Sequence, residues 1–198
     1  MPLSVLDAYL DLLAATRCRQ PEDLDVTNLQ FHLFPSLFYS KLEATGKAYN
    51  FLQFASFLDK RYKSCKSVTE NSLLLFLTPQ FQVIVFVVSD REINIYDTLE
   101  GREFPKDLRY LEAFVNDYLE NYGQHAPAIQ RDKRTWKVVP AQTPKDSLPF
   151  LGINTLRCLD LLTIHKTQMT HQLSAHEPAS DFGIFYLLQL LSGKILNL

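Results

Sequence analysis

The spacing of apolar and polar positions changes along this chain, and each change of period predicts an element. In residues 4–16, Val5, Leu6, Tyr9, Leu10, Leu12 and Leu13 recur at helical spacing, with polar residues opposite and Ser4 in the place of an N-cap. QPEDLDVTN (20–28) reads as a loop. FHLFPSLFYSKLEATG (31–46) predicts a short strand, then a helix that Pro35 opens and Gly46 ends. Residues 47–63 read as a further helix, with Phe51, Phe54 and Leu58 on one face. The period then falls to that of buried strands. SLLLFLTP (72–79) and VIVFVVS (83–89) are unbroken apolar runs, too apolar for the edge of a sheet. The second run pairs with INIYD (93–97) through the turn Asp90-Arg91-Glu92. PKDLRYLEAFVNDYLENYG (105–123) is the clearest amphipathic helix, with Leu108, Leu111, Phe114, Val115 and Leu119 on one face and Gly123 as C-cap. RTWKVVPAQ (134–142) predicts another strand, and 151–165 and 180–196 predict two closing helices. Strands and helices in this order imply an α+β fold, a single domain over residues 1–198.

Composition narrows the class of partner. A chain of 198 residues is long enough to bury roughly 70% of its unfolded surface without disulfides or metal. With 46% hydrophobic residues and a net charge of -2, it carries no electrostatic drive toward nucleic acid. The three cysteines, Cys18, Cys65 and Cys158, are odd in number and widely spaced, which favours a reducing compartment over a disulfide framework. The first twenty residues lack a basic leader and contain Asp7 and Asp11, so neither a signal peptide nor a membrane span is expected. The expected location is intracellular, nucleus or cytoplasm.

The candidate chemistry is sparse. Asp97, at the mouth of a hydrophobic hairpin, stands where an aspartate often orients a catalytic histidine, yet the facing run has no histidine. An aspartate there more commonly caps a turn; buried without a histidine, it needs other donors. Cys158 and His165 lie two helical turns apart, about 10 Å along an axis, too far for a thiolate–imidazole bond. Cys158 sits among leucines and reads as a structural thiol. His165, His171 and His176 match no zinc-site spacing, so no metal or other cofactor is expected. KRYKSCK (60–66) and RDKR (131–134) read as solvated charge runs. With six unclustered glycines, no phosphate-cradling loop is present, and neither GxSxG nor HExxH occurs.

Taken in order, the pieces resemble the ubiquitin-like-protein-specific cysteine proteases, the papain-like group of the SUMO proteases and adenain. LDAYLDLL (6–13) resembles the opening helix of that family, and FHLFPSLFYSKL (31–42) its "hxF-xSFFYxKL" block. VIVFVVSD and INIYDTLEG are similar to its "HWxLxVID" and "IYxYDSL" strands, and WKVVPAQ (136–142) to the strand before its oxyanion glutamine. The resemblance implies a papain-like fold of the SUMO protease type, with a central mixed sheet packed between helices. It also implies a mechanism that needs a thiolate, a histidine, an orienting aspartate and an oxyanion glutamine.

On that resemblance Asp97 takes the aspartate position and Gln142 the glutamine, but Val83 stands for the histidine and Ile84 for the tryptophan. After Gln142 the family reads "QxNGxDCGVFVL" where this chain reads QTPKDSLPFLGINTL. Leu151 takes the cysteine position when Gly152 is the anchor, and Leu148 takes it by unshifted count. SDFGIFYLL (180–188) resembles the same motif with Phe182 in place of sulfur, although the earlier segment has the better gap from Asp97. Leu3 stands near an acidic position that helps the family bind a modifier's tail. The expectation is a pseudoenzyme: a catalytically inactive domain, its former cleft packed shut or made an apolar patch, that binds a protein partner as a scaffold subunit of a complex. The alternatives are a binder of a ubiquitin-like modifier without catalysis, and an unconventional cysteine hydrolase.

Overall fold

The computed structural model describes residues 3–17, 30–46, 49–54, 68–69, 72–97, 108–123 and 135–140. Its centre is a five-stranded mixed sheet in the order β1-β2-β3-β4-β5, with β1 Gln30–Phe34, β2 Ser72–Leu77, β3 Val83–Val87, β4 Glu92–Tyr96 and β5 Lys137–Pro140. The β2–β3 and β3–β4 pairs are antiparallel, and the outer pairs β1–β2 and β4–β5 are parallel. The two apolar runs are interior strands, as their composition requires. Leu74 to Leu77 of β2 are at most 1% exposed, so side chains pointing to both faces are covered.

One face carries Phe34, Leu74, Phe76, Ile84, Phe86, Ile93 and Ile95 into a core shared with α2 (Ser36–Thr45) and α4 (Leu108–Tyr122). Between these two helices in the chain lies a helical turn at 51–54, α3, which adds Phe54. The core is dominated by aromatic rings. Phe34 stacks on Phe76 with centroids 4.3 Å apart, and Phe114 of α4 meets Phe34, Phe38 and Phe76 edge-on. Each fully buried side chain of this size stabilises the fold by about 1.5–3 kcal/mol, and the ring geometry adds to that. On α4 the predicted positions Leu111, Phe114, Val115 and Leu119 are buried, Leu108 is half-buried, and Tyr118 joins them.

Helix α1 (Leu3–Arg17) packs against β1 and buries Leu6, Tyr9 and Leu10. It begins one residue before Ser4, so Ser4 lies within its first turn and is not the cap. The sequence has a proline immediately before Leu3, a residue type favoured at helix starts.

Pro35 is the N-cap of α2 and brings no capping side chain. The missing acceptor comes from α1. Asp7 accepts from the Ser36 backbone N–H through Oδ1 at 2.8 Å and from the Ser36 hydroxyl through Oδ2 at 2.7 Å. A carboxylate at a helix N-terminus satisfies an otherwise free N–H and interacts well with the helix dipole. Gly46 ends α2 at φ 46, a left-handed backbone that glycine adopts without Cβ strain.

Strand β3 stops at Val87, earlier than the apolar run, because residues 88–91 form the hairpin turn. Arg91 takes φ 55 in that turn. Its guanidinium lies over Trp136 at 5.0 Å, and its carbonyl accepts from Lys137 N–H at 3.0 Å, so the turn is stitched to β5. Trp136 in turn meets Phe86 and donates through Nε1 to Asn116 of α4 at 3.0 Å.

Candidate functional site

At the end of the sheet opposite the hairpin turn, β3 begins and β4 ends. Residues 78–82 (TPQFQ) reverse the chain between β2 and β3 with Phe81 at φ 64. Thr78 clamps the turn. Its N–H donates to the Gln82 carbonyl at 3.0 Å, its hydroxyl accepts from the Gln82 N–H at 3.0 Å, and its carbonyl accepts from the Phe81 N–H at 3.0 Å. Threonine suits this place because one side-chain oxygen supplies the acceptor that a tight turn leaves its own N–H without. Both Thr78 and Gln82 are buried, at 0% and 3% exposure.

The ladder fixes what faces Asp97. Val83 pairs with Tyr96, Ile84 with Ile95 and Phe86 with Ile93. One step further along the same antiparallel register, Gln82 stands opposite Asp97. Their side chains meet there: Gln82 Nε2 donates to Asp97 Oδ2 at 2.7 Å. A charged acceptor shortens such a bond and strengthens it beyond a neutral pair. Asp97 is half-buried, and the amide is the donor that a carboxylate in this position needs.

Val83 is not the residue that faces Asp97. Successive strand residues point to opposite faces, so Val83, 1% exposed and paired with Tyr96, lies on the side of the sheet away from the carboxylate. The resemblance set Val83 at the histidine position; the side chain that the structure brings to Asp97 is that of Gln82, one residue earlier. Ile84, by the same alternation, shares the face of Gln82 and lies in the aromatic core. The signal that finds Gln82 is arithmetic: residues paired across an antiparallel hairpin have a constant sum of numbers, and the sum that pairs Val83 with Tyr96 also pairs Gln82 with Asp97.

Gln142, Leu148, Leu151, Phe182, Cys158, His165, His171 and His176 lie outside the described residues, as do the charge runs 60–66 and 131–134. Among the described residues no three His, Cys, Asp or Glu side chains stand close enough to hold a metal ion. A buried histidine that patterning did not single out, His32 of β1, has Nδ1 3.3 Å from the Tyr118 hydroxyl and meets its ring edge-on. Burial holds the Tyr118 hydroxyl well above the ordinary tyrosine range, so it stays protonated and available as a donor.

No family model and no curated protein matches the sequence. Solved structures do match. A SUMO protease Ulp1 with its catalytic cysteine oxidised to a sulfonic acid superposes with a TM-score of 0.63 at 10% identity, over 97% of this chain and 78% of that one. The chain has the fold of a Ulp1-type SUMO protease. The Ulp1 protease domain in complex with Smt3, the yeast orthologue of SUMO, gives a TM-score of 0.61 at 11% identity, over 98% of this chain and 77% of that one. The Ulp1-like SUMO protease catalytic domain of Chaetomium thermophilum gives 0.56 at 17% identity, over 98% and 72%. The α+β reading, with a mixed sheet and helices in the SUMO protease arrangement, therefore holds.

Proposed function

We propose that this Ulp1-like domain is catalytically inactive and serves as a protein-binding scaffold subunit of a larger complex. The observation that supports inactivity most is the partner of Asp97. In the resembling mechanism an aspartate orients an imidazole, which takes a proton from the attacking thiol. Here a side chain bonded to Asp97 is the Gln82 carboxamide, at 2.7 Å. An amide has no basic nitrogen near neutral pH: its NH₂ group only donates and its oxygen accepts hydrogen bonds without taking the proton. General-base catalysis supplies roughly 10²–10⁴-fold in rate, so its removal alone takes most of the activity. The apolar residues Leu148, Leu151 or Phe182 at the aligned cysteine position support the same conclusion.

A neighbouring fold has been solved bound to a ubiquitin-like modifier, which favours a modifier or a protein carrying one as the kind of partner. Binding without turnover is the expected outcome. The test is a hydrolysis assay with fluorogenic conjugates of SUMO and ubiquitin, run beside a titration of the unconjugated modifiers. Background-level hydrolysis at every pH supports the proposal, and turnover above background overturns it. Saturable binding of one modifier identifies the partner class. Its absence leaves the partner to be another kind of protein.

A further inference from the structure

A buried ionisable ring stands on the outer strand β1, well away from β4 and Asp97. His32, in the middle of β1, is 5% exposed. By strand alternation it shares the face of Phe34, which packs under α4. Its Nδ1 lies 3.3 Å from the Tyr118 hydroxyl, and the two rings meet edge-on with centroids 5.8 Å apart. The Tyr118 ring also packs on Phe34 and Phe114, so the pair joins β1 to α4 inside an aromatic core. Burial keeps the hydroxyl protonated. Nδ1 accepts that hydrogen only while it carries none of its own. A proton there turns the acceptor into a donor aimed at a hydroxyl, and it sets a charge where burial disfavours one.

The titratable groups that the described elements bring toward the ring are few. Leu74 of β2 stands opposite His32, and neither β1 nor β2 carries another ionisable side chain. Helix α4 brings Tyr118 and, 4.9 Å beyond it, Tyr122. The carboxylates beside Tyr118 on that helix are Asp117, which accepts from Tyr49, and Glu120, which is exposed. Helix α1, which also packs against β1, brings Tyr9, Asp7, which is bonded to Ser36, and the exposed Asp11. We propose that His32 and Tyr118 form an acid-sensitive latch between β1 and α4, closed while the imidazole is neutral and opened when it takes a proton. The latch sets how firmly the outer strand is held to the helix, and it stands independently of whether the domain turns over a substrate. The unfolded chain binds a proton at this residue near the ordinary histidine value of about 6.5, and the closed fold does not. The latch therefore contributes fully above that value, and its contribution is lost as pH falls below it.

The test compares the full native chain with His32→Gln, whose amide oxygen can still accept from Tyr118. The carboxylates and the other histidines are common to both proteins, so the difference between them isolates His32. Between about pH 7.5 and about pH 5.5, the folded-to-unfolded ratio of the native chain, read by urea unfolding, is expected to fall about tenfold relative to the variant. A relative ratio that stays constant overturns the proposal. So does one that rises, the result that a carboxylate holding the ring charged would produce. A second measurement needs the native protein alone and does not depend on the variant folding. Over the same pH interval, hydrogen exchange of the β1 amides, corrected for its intrinsic rate, is expected to accelerate relative to the β3 and β4 amides. Equal acceleration in all three strands overturns the latch as a local device.

Discussion

Asp7 and Ser36, 29 positions apart, join two helices through one carboxylate that bonds both the backbone N–H and the hydroxyl of the serine. The contact closes the N-terminus of α2, whose own N-cap is a proline without a capping group. Replacing a capping carboxylate by alanine costs about 0.5–2 kcal/mol. Asp7→Ala is therefore expected to lower the unfolding free energy by that amount, read as a lower denaturant midpoint at unchanged slope. Ser36→Ala loses only the hydroxyl bond and falls short of it. An Asp7→Ala protein as stable as the parent, measured by urea unfolding, contradicts the assignment.

Tyr49 makes a comparable cross-link between the segment after α2 and α4. Its hydroxyl donates to Asp117 Oδ2 at 2.8 Å, and burial, with help from that carboxylate, holds it far above the ordinary tyrosine range. Tyr49→Phe keeps the ring but leaves the carboxylate short of a donor, and an expected loss of about 1–2 kcal/mol follows. Tyr49 absorbance gives a second check: its phenolate is expected not to form until the protein unfolds in alkali.

Thr78 bears on the site itself. Thr78→Val preserves shape but removes the acceptor of the Gln82 N–H in a fully buried turn. Leaving a buried donor unmet costs about 1–3 kcal/mol. Hydrogen exchange at Gln82 is expected to accelerate in the variant, while exchange in the body of β3 changes only by the global loss of stability.

Glu112 supplies a pH test whose sign follows from one cause. Partial burial raises its carboxyl above the ordinary carboxylate value. The folded chain thus holds a proton that the unfolded chain has already released, and stability falls as pH rises through that interval. Below the ordinary carboxylate range both states are neutral and the effect vanishes. Glu112→Gln is expected to be more stable than the parent at pH 7 by a modest margin and indistinguishable at pH 3. A margin that does not change with pH excludes burial of this carboxyl as its source.

Much of the fold was legible because long apolar runs leave few choices. SLLLFL and VIVFV have no polar face to present to solvent, so they had to be interior strands, and α4 declared itself through residues Leu111, Phe114, Val115 and Leu119. Pairing at the sheet end was harder to read. A strand's side chains alternate faces, so which residue faces Asp97 depends on the pairing register, and motif likeness alone does not supply that register. The Asp7 cap was invisible for another reason: it links residues distant in sequence, and Pro35 suggested a helix start without naming its acceptor. The aromatic partners of Phe34, drawn from α2, β2 and α4, are likewise set by packing that no local pattern encodes.

The central claim is that the side chain gripped by Asp97 cannot take a proton from a thiol. Covalent labelling of the native protein with SUMO and ubiquitin carrying a C-terminal electrophile measures this most directly, because such probes trap an activated cysteine in the act of attack. The account predicts no adduct at Cys18, Cys65 or Cys158 under conditions where an active Ulp1 domain labels fully. An adduct that forms on the folded protein and disappears in Cys158→Ser contradicts it.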